Sequence, residues 1–155
     1  MTVYGIDVST TKIAVAKISS DGFDVIELTA KSRSWESRLQ QIYPQFFEYV
    51  SENMVTDDFV VIEDVPLVQN RAALIKLTHF VAMCKVTCLH HKIDCFPVNV
   101  KTWKRSVLGD GNADKDKIKA MAKQIFGAKI DKLSQDAVDA MCVAKWGDLR
   151  LQGND

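Results

Sequence analysis

Apolar and polar positions alternate from the first residues. Val3 to Ala16 reads VYGIDVSTTKIAVA, two strand-like runs joined by the polar turn Ser9-Thr10-Thr11. Ser20-Asp21-Gly22 is a further turn signal, and DVIELTA after it predicts a third strand, giving an antiparallel meander. The period then changes. Leu39, Ile42, Phe46 and Val50 fall at helical spacing behind a Ser34 N-cap with Glu36 in the first turn, and the interior Pro44 predicts a bend or break near Tyr43. FVVIE at 59–63 is a short continuous apolar run of the kind buried on both faces of a sheet. Arg71 to His91 is a long helical pattern with Leu74, Leu77, Val81, Cys84 and Cys88 on one stripe, widened by Phe80, Met83 and Val86. A stripe wider than one core needs predicts a dimer seam, with Leu74, Leu77, Phe80, Val81 and Cys84 as its contacts. Ile93 to Val98 predicts a fifth strand, whose Pro97 suits a sheet edge. Three helices complete the pattern: 100–107, a segment capped by Asp114 and ended by Gly127, and a last one capped by Ser134 and running to about Leu149. Five strands interleaved with helices make this an α/β chain, and no repeat or linker divides its 155 residues into more than one domain.

Composition narrows the class only a little. Hydrophobic residues are 47% and charged residues 26%, with 20 Lys+Arg against 20 Asp+Glu, so net charge points to no partner. Its distribution is more informative: from Lys101 to Lys132 nine basic residues face four acidic ones. A strand-like N-terminus and the lack of an uninterrupted apolar run near the ~20 residues of a membrane span predict a cytoplasmic protein. The four cysteines, Cys84, Cys88, Cys95 and Cys142, fit reduced buried thiols. Cys84, Cys88, His90, His91 and Cys95 lie close in sequence but contain no Cys-x-x-Cys pair, so a zinc site is the weaker reading.

The acids carry the chemistry. Asp7 sits among Tyr4, Ile6 and Val8, where an unpaired carboxylate is costly to desolvate and must be bonded, paired or metal-bound. Alone, this stretch suits either a nuclease with a metal-binding aspartate on its first strand or the phosphate loop of an actin-like ATPase, and a tolerated strand aspartate is the bland alternative. Glu63 closes the buried FVVIE run. Asp136 and Asp139, at i and i+3, share one face of the last helix, although acids at a helix N-terminus also serve the dipole. These four can meet at the carboxyl ends of central strands. Oxygen ligands without His or Cys select Mg²⁺ or Mn²⁺.

The segments YGIDVST, SRLQQIY, FVVIEDVPLVQN, VKTWKRSVLGDGNADKDKI and DAVDAMCVAKW, in this order, resemble those of the RuvC-type Holliday junction resolvases of the ribonuclease H-like superfamily. The resemblance spans nearly the whole chain. It implies a five-stranded mixed sheet flanked by helices, a homodimer, and a metal-dependent endodeoxyribonuclease that cuts branched DNA symmetrically. It also implies that Asp7, Glu63, Asp136 and Asp139 hold metal, two ions per site about 4 Å apart. Lys101, Lys104, Arg105, Lys115 and Lys117 become the DNA-contacting residues, with Lys115 placed to neutralise charge on the scissile phosphate. Two departures stand out. Val65-Pro66-Leu67 replaces the base-stacking aromatic that often follows the strand-end glutamate, and Val8-Ser9 replaces a proline-glycine pair, which suggests a divergent branch such as a phage-encoded enzyme acting in its host's cytoplasm. The rivals are a related nuclease acting on flaps or RNA–DNA hybrids, an ATPase fragment, and a catalytically silent junction binder. The ATPase lacks a second phosphate loop, and the silent binder would need a broken acid set.

Overall fold

A computed structural model describes residues 1–67 and 70–153; Val68 and Gln69 of the FVVIEDVPLVQN segment lie outside the described residues. Strands β1 (Val3–Val8), β2 (Lys12–Ser19) and β3 (Gly22–Thr29) form the expected meander. Helix α1 (Trp35–Asn53) leads to β4 (Phe59–Glu63), helix α2 (Arg71–His90) to β5 (Cys95–Val98), and α3 (Val100–Leu108), α4 (Lys115–Phe126) and α5 (Gln135–Leu151) follow. A short 3₁₀ turn, Ala128–Lys132, separates α4 from α5 and was not foreshadowed by any periodicity. The sheet order is β3-β2-β1-β4-β5, antiparallel across the meander and parallel from β1 through β4 to β5. This is the mixed five-stranded sheet of the ribonuclease H-like class.

Strand alternation sorts the core into two layers. Ile6, Ile13, Val15, Val60 and Ile62 face α1 and α2, whereas Ala14, Ala16 and Val61 face α3, α4 and α5. Gly5 shares that second face, and a Cβ built there would lie 2.2 Å from the Ala144 nitrogen and 2.3 Å from the Ala140 carbonyl oxygen. Gly147 is equally tight, its hypothetical Cβ being 2.8 Å from a Val61 methyl. Glycine and alanine thus let the α5 backbone rest directly on β1. Any larger side chain would push the helix off the sheet and carry Asp136 and Asp139 away with it.

Three expectations need correction. Of the bend or break expected near Tyr43, the break does not occur: helix α1 runs from Trp35 to Asn53 with Pro44 inside it. Ile42, Phe46 and Val50 are wholly buried against the sheet, and the Tyr4 hydroxyl donates to the Asn53 carbonyl at 2.6 Å. Packing on both sides of the proline outweighs the single hydrogen bond it removes. The proposed dimer seam is wrong for Phe80, Val81 and Cys84, which are at most 4% exposed and lie in the core of their own protomer. Leu77 is half-buried and packs on the same core, and Leu74 is half-buried beside it in the sequence. The stripe read from the sequence is therefore the inward one; the outward face carries Ile75, Ala82, Val86 and Leu89. Finally, α2 is long and apolar enough to cross a membrane by length and composition. Counting uninterrupted runs misses this because Lys76 and Lys85 interrupt it, yet Phe80, Val81, Cys84 and Cys88 bury on the sheet of their own domain.

Candidate active site

The register of the sheet brings the first two acids together. Ile6 pairs with Ile62 on parallel β1 and β4, so Asp7 and Glu63 come one residue later on neighbouring strands. They point to the face opposite the two isoleucines, the face covered by α5. Asp136 and Asp139 enter on the first two turns of α5, whose N-cap is Ser134, its hydroxyl accepting from the Ala137 N–H at 3.1 Å. All four carboxylates are half-buried at one end of the sheet.

Their mutual influence is visible in their acidity. Burial pushes the Asp7 carboxyl well above the usual carboxylate range, and Glu63, Asp139 and Asp136 push it further, against one N–H from Val8. Glu63 is raised mainly by burial and also by Asp139, opposed by a hydrogen bond from Trp103 and by the charge of Lys104. Asp139 is pushed up to about 6 by burial, with Asp136 adding to it while Gln135, Lys104 and Lys115 resist. The acids feel one another, although among the described residues no three acid, imidazole or thiol side chains stand close enough to hold an ion. Like charges keep such a distance unless a cation draws them in.

Of the five basic residues expected here, Lys104 and Lys115 are the two whose charges reach Asp139, where both hold the carboxyl pKa down. The Lys104 ammonium also donates to the Ala113 carbonyl at 3.0 Å. Lys101 and Arg105 are exposed on α3, and Lys117 is engaged with Asp110 at 2.5 Å. Sequence reasoning missed four further residues. Trp103 donates its indole N–H to Glu63 Oε2 at 2.6 Å, and Gln135 donates to Asp139 Oδ1 at 2.8 Å. Lys12 lies 3.1 Å from Glu27 and 3.6 Å from Asp136, and Glu27 accepts from the Ser134 hydroxyl. Gln135 could have been found as the neighbour of Asp136. Glu27 carries no local signal, because it reaches this face only through the row Asp7–Ala14–Glu27 across three strands. In the cysteine group, Cys84 and Cys88 are buried in the core.

Residues 3–145 match the family model of the crossover junction endodeoxyribonuclease RuvC. The chain belongs to this family. RuvC of Trichlorobacter lovleyi is 26% identical over 151 residues, covering 93% of this chain and 83% of its own, and RuvC of Nitratidesulfovibrio vulgaris strain Hildenborough is 27% identical over 149 residues, covering 93% and 88%. Thermus thermophilus RuvC superposes with a TM-score of 0.79 at 16% identity, covering 99% of this chain and 98% of its own. RuvC from the same organism, solved in complex with a Holliday junction substrate, also gives 0.79. RuvC membership implies a divalent metal ion, and the donor set fits one: four carboxylates with hard oxygen atoms, three of them strained by burial and mutual repulsion that a cation would relieve.

That strain has a measurable sign. A carboxyl whose folded pKa is raised holds its proton more tightly in the folded state, so its contribution to stability is present at low pH and lost as pH rises. In EDTA, the melting temperature of wild type relative to Asp139→Asn should fall as pH rises from about 4 through about 6. Mg²⁺ should flatten that difference. A wild-type curve parallel to that of the variant across this window would remove the basis for the assignment of Asp139.

Proposed function

We propose that this RuvC family member is a metal-dependent, structure-specific endodeoxyribonuclease that resolves Holliday junctions by paired symmetrical incisions. The observation that carries the reading is the shared face of Asp7, Glu63, Asp136 and Asp139, where burial and like charge raise the pKa of Asp7, Glu63 and Asp139. Those four would hold Mg²⁺ or Mn²⁺, two ions per site, which supply an activated water and a stabilised leaving 3′ oxygen on a phosphodiester. Lys104 and Lys115, whose charges already reach Asp139, would offset negative charge on the phosphate in the transition state. Lys101 and Arg105 extend this basic face along α3 for sequence-independent backbone contacts. Lys117 joins them once a phosphate replaces Asp110 as its partner. In the loop after Glu63, Leu67 is fully exposed and is the apolar group offered where an aromatic often stands.

A junction has two-fold symmetry, so a C2 homodimer can present identical sites to opposing strands. The α2 face of Ile75, Ala82, Val86 and Leu89 is proposed as the seam in place of the buried stripe. Acting on DNA places the enzyme in the cytoplasm of its cell, or of the host for a phage-encoded chain. The test is cleavage in Mg²⁺ of a four-way junction beside duplex, flap and RNA–DNA hybrid substrates. Paired nicks in opposing junction arms with duplex spared are expected. Faster cutting of flaps or hybrids would transfer the assignment to a broader branched-substrate nuclease, and no cutting of any substrate would overturn it.

A further inference from the structure

We infer that Trp103 is a positioning residue that fixes Glu63 as a one-oxygen metal ligand, its indole N–H occupying Oε2 and leaving Oε1 for the ion. The inference rests on the proposed metal site. Trp103 belongs to α3, which starts at an Asn99 cap that accepts from the Lys101 N–H at 2.9 Å. Its side chain is fully buried and packs in the layer that contains Ala14, Val61, Met141 and Ala144. So enclosed, the ring cannot swing. An indole has one donor and no acceptor, and a buried donor needs a partner. The partner is a carboxylate 40 residues earlier, on the far end of β4, at 2.6 Å.

That bond constrains Glu63 in two ways. The indole N–H can only donate, so Oε2 is engaged as its acceptor. Oε1 has no protein hydrogen bond among the described residues, and it is the atom left to meet a cation. Holding the other oxygen of a ligating carboxylate orients the ligand and removes the rotamer freedom an ion would otherwise have to freeze. Packing asks only for an apolar ring, so the indole nitrogen, which needs a partner, is the feature that packing alone does not call for. Trp103 also sits beside Lys104 in α3, whose charge reaches both Glu63 and Asp139. One short helix thus supplies the cation near the acids and the anchor of one of them.

The experiment is a double-mutant cycle read by calorimetric titration of Mg²⁺, and separately Mn²⁺, into the DNA-free protein. Trp103→Phe should weaken ion binding roughly 10- to 100-fold, and Glu63→Gln should weaken it too. In the Glu63→Gln background, Trp103→Phe should add no further loss, because Trp103 acts only through that carboxylate. Unchanged affinity in Trp103→Phe beside a weakened Glu63→Gln would overturn this inference and leave the metal site standing. A full additive loss in the double variant would also overturn it, as a general structural effect. If Glu63→Gln itself binds ions like wild type, the metal-site reading fails and the inference with it. Should Trp103→Phe not fold, the wild type decides by NMR: with Trp35→Phe and Trp146→Phe used for assignment, the Trp103 indole N–H resonance should move as Mg²⁺ is added. A stationary resonance would refute the coupling.

Discussion

Asp7→Asn should abolish junction cleavage while leaving the fold and junction binding intact. Asp7 is the acid most surrounded by the others, feeling Glu63, Asp139 and Asp136 at once. An amide keeps the shape of the side chain and an oxygen for the Val8 N–H, but removes the negative charge that would draw a cation onto β1. Loss of at least about a thousandfold in rate is expected, about 4 kcal/mol of transition-state stabilisation. The same change should raise the melting temperature in EDTA at neutral pH, because a pKa raised in the folded state means that the ionised Asp7 costs stability there. Opposite signs in the two measurements separate a lost ligand from a damaged fold. Retained cleavage in Mg²⁺ would show that Asp7 does not ligate, and a lowered melting temperature would show that its charge is not the strain described.

Val86→Glu should turn the enzyme into a monomer that nicks junctions without completing paired incision. Ile75, Val86 and Leu89 are 46%, 63% and 63% exposed, and with Ala82 they recur along one outward line of α2. Two copies packed about a two-fold axis would bring a glutamate at 86 close to its symmetry mate in an apolar seam. Burying such unpaired charge costs several kcal/mol, enough for two or more decades in the dimer dissociation constant. Paired incision should fall far more than single nicking, since each site stays intact. Leu77→Glu makes the control: its side chain packs on the protomer's own core, so it should lower the melting temperature. Sedimentation of Val86→Glu as an undiminished dimer, or of wild type as a monomer with full bilateral cleavage, would refute this seam.

Local sequence specified most elements because their signals are local. Ser34, Asp114 and Ser134 cap the helices they were expected to cap, since a side-chain oxygen reaches an N–H only two or three residues ahead. Gly127 ends α4 at a φ of 86°, a conformation few other residues accept. The placement of Asp7 and Glu63 at the ends of apolar strands was legible for the same reason: alternation along a strand assigns its faces. Four acids could thus be named from the chain, whereas Lys104 and Lys115 came with the family resemblance.

Tertiary structure decided what depends on two distant segments at once. Periodicity showed that α2 carries apolar residues on more than one side but could not say which side meets the sheet, because a helix has no preferred azimuth until something packs on it. Phe80, Val81 and Cys84 turned inward, which leaves Ile75, Val86 and Leu89 on the outward face proposed as the seam. Pro44 was read by its local cost, which the buried Ile42, Phe46 and Val50 overrode. Glu27 and Trp103 reached the acids by strand register and by core packing, across separations along the chain that no local pattern spans. A spacing rule works within one element, where the backbone fixes geometry. Between elements the fit of side chains fixes it, and here that fit depends on Gly5 and Gly147 letting α5 lie close enough to bring Asp136 and Asp139 to Asp7.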